Sequence, residues 1–402
     1  MHVHSKFVLP AVIAVLGLTL AGCAPTSSDA SGPSTNGAGL PAVDVSIITS
    51  QTGPLAAYGA TYLAGWDAGL DYATQGTGTV DGRAVNVTIA DDAGDVDKAV
   101  TAAKTVIGQG KKIIVGTASS GIALALAEQA EQNKILYISG PAAADGVTGI
   151  NAHTFRSGRQ SYQDVATAGT FIGDPKGKSI LVFAQNTAFG QGNVAAATAV
   201  LGAKGATVTS LLVPEDATEF TPFAQQIINA TPDMVFVAWA GATSAAMWES
   251  LSQQGVFDKV PVVTGLGNVA TYGAYGAASS KISFLNHYFA GATDNAVNTA
   301  MIASLTKSGA VADLFSPDGF NAAVMVVQAI RAGGGDDVAK MITSLEGWTF
   351  DGPKGSMTIR AEDHAMIQPM FQVKLVADGA NWKPELVDVV DAQVVTPPIV
   401  QK

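Results

Sequence analysis

The chain has 402 residues, 48% of them hydrophobic and 14% charged, so it carries enough apolar material for a sizeable core and is not disordered; its length fits two domains. With 22 Lys and Arg against 33 Asp and Glu the net charge is −11, and no basic run interrupts that balance, which excludes nucleic acid and anionic lipid as main partners. Cysteine occurs once, which excludes a disulfide framework and a cysteine-based metal site.

In chain order, Lys6 precedes an apolar stretch over 7–20, too short to span a bilayer comfortably, and Leu20-Ala21-Gly22-Cys23 follows at once. This pattern predicts a lipoprotein signal over 1–22 with a lipobox, in which small residues admit the protease and the Cys23 thiol takes the diacylglyceryl group. Residues 23–41 then hold the lipidated cysteine and a Ser/Gly/Pro-rich tether that cannot bury enough apolar surface to order itself. No second membrane segment is expected. The mature chain would sit at the outer face of the bacterial cytoplasmic membrane, anchored rather than spanning.

From Val43 onward short β-branched runs alternate with longer Ala-rich amphipathic stretches, the pattern of βαβ units on a parallel sheet. Strands are expected at 43–49, 85–90, 113–115 and 135–139, with helices at 59–72, 95–108 and 120–133. A second series places strands at 179–183, 207–212, 234–237 and 261–263, with helices at 160–172, 192–201, 221–230 and 244–254. A strand at 288–290 and helices at 298–307, 318–332 and 336–345 lack a sheet of their own and are assigned back to the first series. Strands at 356–359 and 369–376 are expected to close the second. The fold class is therefore α/β, with two doubly wound Rossmann-like lobes joined by a multi-crossover hinge. Lobe 1 comprises 42–158 and 287–345, lobe 2 comprises 159–286 and 346–390, and 391–402 form a C-terminal tail.

Open α/β sheets bind ligands beyond the carboxyl ends of their strands, so the loops after strands are the ones to inspect. On the first lobe these are Ser50-Gln51-Thr52-Gly53-Pro54, leading to Tyr58; Gly116-Thr117-Ala118-Ser119-Ser120; and Gly140-Pro141-Ala142-Ala143-Ala144-Asp145. Ser119 and Ser120 open a helix, where unpaired N–H groups and the positive helix end attract an anion and where serine equally serves as a cap. On the second lobe the loops are Asn186-Thr187-Ala188-Phe189-Gly190, Trp239-Ala240-Gly241-Ala242 and Thr264-Gly265-Leu266-Gly267-Asn268. Phe189 and Trp239 either sandwich a ligand or plug the core.

These segments resemble the branched-chain amino-acid-binding family, as do Ala127-Glu128-Gln129-Ala130-Glu131-Gln132-Asn133, Asp351-Gly352-Pro353-Lys354-Gly355 and Arg360-Ala361-Glu362-Asp363-His364. The resemblance covers about 43–376. It implies a type I periplasmic-binding fold serving an ABC importer, with permease and ATPase chains as partners, a monomeric receptor and no cofactor. It further implies that Ser119 and Ser120 hold a ligand carboxylate with help from the backbone of Ala142 and Ala143. Tyr58, Phe189 and Trp239 would line the pocket, with Thr264 and Gly265 beside them. Two positions depart from the family. Ala144 stands where threonine is common, and Thr264 stands where a glutamate pairs the ammonium of an amino acid; Asp145 is displaced by one position. The expected ligand is a small polar solute, amino-acid-like, carboxylate or amide; because a buried ammonium without a carboxylate is costly, the departures count against an ordinary α-amino acid and toward a carboxylate lacking an amino group, an amide such as urea, or an aromatic acid.

Enzyme chemistry finds little support in the sequence. Gly173-Asp174-Pro175-Lys176-Gly177-Lys178-Ser179 has P-loop residues at the wrong spacing and leads into a strand. No G-x-S-x-G elbow occurs, and His153, His287 and His364 have no metal spacing and are expected to be surface or structural residues. A sensing or interaction protein on the same fold is the alternative reading.

Overall fold

The computed structural model describes residues 40–401, so the signal, Cys23 and most of the tether lie outside the described residues. The first sheet collects β1 (Val43–Thr49), β2 (Thr79–Val80), β3 (Arg83–Asp91), β4 (Ile113–Val115), β5 (Leu136–Ser139) and β6 (Thr154–Arg156) in the order β2-β3-β1-β4-β5-β6. All neighbours pair in parallel except β2 with β3. Its crossovers are α1 (Ala56–Thr74), α2 (Val96–Gly108) and α3 (Ser120–Asn133).

β1 is central and covered on both sides, which explains its nearly continuous apolar run. Val45 and Ile47 face the core shared with Trp66, Val326 and Ile330, while Ile48 faces the core shared with Ile122, Leu126 and Tyr137.

After β6 the chain enters a second sheet through α4 (Ser161–Ile172). That sheet gathers β7 (Ser179–Gln185), β8 (Thr207–Val213), β9 (Met234–Ala238), β10 (Val262–Gly265) and β11 (Ile282–Asn286), connected through α5 (Ala188–Val200), α6 (Thr221–Ala230), α7 (Ser244–Gln253) and the short α8 (Tyr272–Tyr275). Alternate residues of β7 feed opposite cores: Leu181 and Phe183 one, Ile180, Val182 and Ala184 the other. The 173–179 segment is a turn into β7, where Lys178 Nζ donates to Ile172 O at the end of α4 (2.8 Å).

The chain then returns to the first lobe as α9 (Ala296–Lys307), α10 (Ser316–Gly333) and α11 (Val338–Leu345). α10 lies against α1 so closely that a methyl group on Gly65 would stand 2.0 Å from Ser316 O, and one on Gly319 1.9 Å from Tyr62 O. Glycines on both helices permit that approach.

Two expectations are corrected here. The strand placed at 288–290 is β11, at 282–286, and it pairs in parallel with β10. The strand at 356–359, expected in the second lobe, is β13 (Gly355–Ile359), which forms a small antiparallel sheet with β12 (Thr349–Gly352) and β14 (Met366–Ile367). Phe350, Met357, Ile359 and Met366 bury their side chains in the first-lobe core beside α10 and α11, and that burial decides the placement. Only then does the chain cross again, to β15 (Met370–Asp378) and β16 (Asn381–Val390), an antiparallel hairpin extending the second sheet to the order β16-β15-β11-β10-β9-β7-β8.

Candidate functional site

Stripped of its antiparallel additions, each sheet has the same order: β3-β1-β4-β5-β6 in one, β8-β7-β9-β10-β11 in the other. In both, successive connections part to opposite sides at the first strand, leaving a crevice between β1 and β4 and another between β7 and β9. A cavity of about 360 Å³ lies where the loops from both crevices meet. Tyr58, Ser119, Ser120, Ala143, Phe189, Trp239, Thr264 and Gly265 line it. Ala142 is not among the lining residues: its N–H donates to Thr117 O (3.2 Å) and its carbonyl accepts from Arg156 Nη1 (3.3 Å).

The first-lobe loops are tied from beneath by buried charges. Asp92 takes the hydroxyls of Ser50 and Thr117, each at 2.5 Å, and the Gly94 N–H at 2.9 Å, joining the loops after β1, β3 and β4. Arg156 is 1% exposed and donates to Thr148 Oγ1 (2.9 Å) and to the carbonyls of Ala142, Ala144 (2.8 Å) and Arg159 (2.8 Å). Burial pushes its pKa down to about 10, against the pull of Asp145.

Above that base the donors are unspent. Ser119 is the N-cap of α3, its Oγ accepting the Ile122 N–H (3.5 Å), so capping falls to this serine. Ser120 does something else: its Oγ accepts the Ala144 N–H (3.2 Å), leaving its proton available. Among the described residues no acceptor meets the N–H groups of Ser120, Gly121 or Ala143, whereas the Ala143 carbonyl is occupied by the N–H and Oγ of Ser161 (2.8 and 3.1 Å). Hydroxyls, free amides and a helix N-terminus together favour an anion.

The second-lobe loops are arranged differently. Trp239 Nε1 donates to Thr243 Oγ1 (3.0 Å), Gln185 Oε1 accepts the Ala240 N–H (3.1 Å), and Thr264 Oγ1 donates to Val237 O (2.9 Å). Trp239 also rests on Phe183 and Phe220, with ring centroids at 5.2 and 5.4 Å. These groups bond within their own lobe, and Phe189, Trp239, Leu266 and Leu285 present apolar surface to the cavity.

Sequence reasoning missed Arg159, Asp164, His287 and Phe315, all of which line the cavity. Arg159 lies just past the first crossover between the lobes, donating through Nη1 to Pro141 O (2.7 Å) and through Nε to Asp164 (3.3–3.4 Å), with its guanidinium 5.6 Å from the Phe315 ring centre. Burial raises the Asp164 pKa, and Arg159 opposes that rise. His287 is buried, its ring 5.0 Å from Phe315; burial and then Arg159 and Lys354 push its pKa well below 6.5, so it is neutral. His364 bridges segments, with Nδ1 2.8 Å from Thr154 O and Nε2 3.1 Å from Glu346. The placement of Arg159 directly after the expected lobe boundary was the signal available in the sequence.

The cleft is closed. Across it, the Gly241 N–H donates to Tyr58 Oη (3.4 Å), and the Val269 N–H donates to both Asp313 carboxylate oxygens (3.1 Å each). Two lobes meeting over a partly open cavity, with unspent donors on one side and apolar side chains on the other, have the layout of a bilobed solute-binding protein.

The chain belongs to the periplasmic binding protein family, whose profile matches residues 42–380. Among curated proteins it is similar to Leu/Ile/Val-binding protein homolog 3 of Brucella melitensis, at 26% identity over 84% of this chain and 92% of that protein. Among solved structures it is similar to an ABC-type branched-chain amino acid transporter from Rhodopseudomonas palustris (33% identity, TM-score 0.74, 90% of this chain and 100% of that one). It is also similar in fold to a solute-binding protein of an R. palustris ABC transporter in complex with 4-hydroxybenzoate (20% identity, TM-score 0.78, 87% and 97% covered). The protein is thus the solute-binding component of an ABC transporter, acts outside the cytoplasm, and is not an enzyme. Among the described residues no helix is long and apolar enough to cross a membrane, and no cluster of His, Cys, Asp and Glu could hold a metal ion.

Proposed function

We propose that this protein is a lipid-anchored monomeric receptor that captures a small carboxylate between its lobes and presents it to a permease and ATPase for import. The observation that carries the reading is the cavity of about 360 Å³, in which unspent donors of Ser120, Gly121 and Ala143 face apolar side chains of the other lobe. A volume of this order fits a ligand of amino-acid or aromatic-acid size. Lobe 1 would comprise 42–158 with 287–367, lobe 2 would comprise 159–286 with 368–390, and three crossovers would form the hinge. The ligand docks on the donors of the first lobe, and contacts to Phe189, Trp239 and Thr264–Leu266 favour the closed state by their differential affinity. Cys23 would carry the anchor.

The test is isothermal titration of the full chain with a panel of aliphatic, keto and aromatic carboxylates, amides and amino acids, accompanied by small-angle scattering. The expected result is one-to-one binding of a carboxylate with a fall in radius of gyration. Failure of every carboxylate and amino acid to bind would overturn the reading. The anchor is checked separately, by loss of radiolabelled palmitate incorporation in Cys23→Ser.

A further inference from the structure

Arg159 brings a positive charge to a cavity whose sequence neighbours gave no reason to expect one. It is 7% exposed, yet it lines the cavity, and its environment fixes its orientation: Pro141 O holds Nη1, Asp164 holds Nε, and Phe315 lies against its face. Arg156, through the Arg159 carbonyl, holds the backbone (2.8 Å). The remaining nitrogen, Nη2, meets no acceptor among the described residues. Pro141 belongs to the same loop as Ala143, whose N–H is free, and Ala144, whose N–H is bonded to Ser120 Oγ. The guanidinium and the α3 donors are therefore bound to opposite ends of one four-residue loop.

The acids that line the cavity are not free to pair a ligand ammonium. Asp164 is committed to Arg159, and Glu215 is exposed to solvent. Thr264 donates its hydroxyl proton to Val237 O, so it offers a ligand ammonium only a neutral oxygen where a carboxylate would supply a counter-charge. An α-ammonium sits one carbon from its own carboxylate, so a carboxylate held by this loop would bring the ammonium into the field of Arg159 with no free acid to meet it.

We propose that Arg159 determines specificity: its free Nη2 pairs the ligand carboxylate alongside Ser120 and the Ala143 amide, and its charge rejects an α-ammonium, so the ligands are small carboxylates without an α-amino group. The inference rests on the solute-binding reading above. It extends that reading from the size of the ligand to its charge.

Matched pairs decide it. Leucine and 4-methyl-2-oxopentanoate, and phenylalanine and phenylpyruvate, differ only at the α-carbon, and each is titrated calorimetrically into the full chain. The keto acid of at least one pair should bind about 100-fold more tightly than its amino acid, because both bring the carboxylate but only the amino acid brings an ammonium that meets a like charge and no free acid. Equal or tighter binding of the amino acids overturns the role of Arg159 and leaves the solute-binding reading intact, whereas silence from the whole carboxylate panel removes that reading itself. Arg159→Gln should lose about 10- to 100-fold for the keto acid and narrow the keto-to-amino ratio, while Arg159→Lys keeps most of the ratio. A purely structural arginine would lower both ligands in parallel and leave the ratio unchanged. Because Arg159→Gln strands Asp164, the double variant Arg159→Gln with Asp164→Asn is measured beside it, and thermal unfolding reports whether each is folded.

Discussion

The loops after β4 and β9 occupy equivalent places in two sheets of identical strand order, and they do opposite work. After β4, Gly116-Thr117-Ala118-Ser119-Ser120 ends in a capped helix whose first amides and the Ser120 hydroxyl remain free. After β9, Trp239-Ala240-Gly241-Ala242-Thr243 also precedes a helix, but Thr243 Oγ1 is taken by the indole of Trp239 and by Gln185 Nε2, and the Ala240 N–H is taken by Gln185. The topology supplies a crevice in both lobes; side chains decide which crevice holds charge. A lobe with open donors can dock an anion before closure, and a lobe that presents aromatic and aliphatic side chains can cover it.

The largest way to break this contrast is to remove what holds the donor lobe in shape. Arg156→Met leaves the carbonyls of Ala142, Ala144 and Arg159 without their buried donor, and should cost on the order of 3 to 5 kcal/mol in urea unfolding. The counterpart loop after β10 has no such arginine, so the loss belongs to the first lobe. Next, Ser120→Ala removes a donor to the ligand and the acceptor of the Ala144 N–H; carboxylate affinity should fall roughly 10- to 100-fold, with about 1 kcal/mol of stability lost. Thr243→Ala, its counterpart, should change affinity by no more than roughly 3-fold, because its hydroxyl serves Trp239 and Gln185. If the two losses were equal, the division of labour would be wrong.

Gly241 tests the covering lobe. Its φ is +83°, and a methyl group there would stand 2.9 Å from Pro54 O on the opposite lobe. Gly241→Val should weaken binding by about 10-fold and blunt the fall in radius of gyration on ligand addition. Unchanged compaction would mean that the lobes close by another path.

Much of the scaffold was legible because buried parallel strands and amphipathic helices leave periodic traces: β1 and β4 stand at the expected residues, and the switch-point loops follow from strand order. Three features left weaker traces. β13 alternates like any half-buried strand, and only the partners of Met357 and Ile359 reveal which core receives it. Ala142 was assigned by its place in a motif, but an amide is available only if no neighbour takes it, and Thr117 does. Arg159 sits in a crossover with no period at all, so its role comes from three-dimensional neighbours, Pro141 and Asp164. Sequence pattern records burial well and records which polar group is left over poorly.

The smallest effect concerns how the lobes are strapped together. The tail buries Val395 in a second-lobe core, then reaches residues 360–364 of the first: Arg360 donates to Pro397 O (2.7 Å) and Pro398 O (3.2 Å), and the Val400 N–H donates to Asp363 Oδ2 (3.0 Å). Burial alone would raise the Asp363 pKa, but the Arg360 pair at 2.6 Å and the N–H groups of Val400 and Ala365 outweigh it and hold it below 3.8. The sign follows: a carboxylate whose folded pKa lies below its unfolded value adds stability above the unfolded value, and that stability is lost as pH falls through the folded one. Asp363→Asn should therefore lower the unfolding midpoint at pH 7, and the gap to the unmodified chain should shrink below about pH 4 and close at lower pH. Hydrogen–deuterium exchange of the tail amides, followed by mass spectrometry, should rise in the variant at neutral pH. A gap that stays constant from about pH 7 to about pH 2.5 would show that the tail is held by packing around Val395 and not by this ion pair.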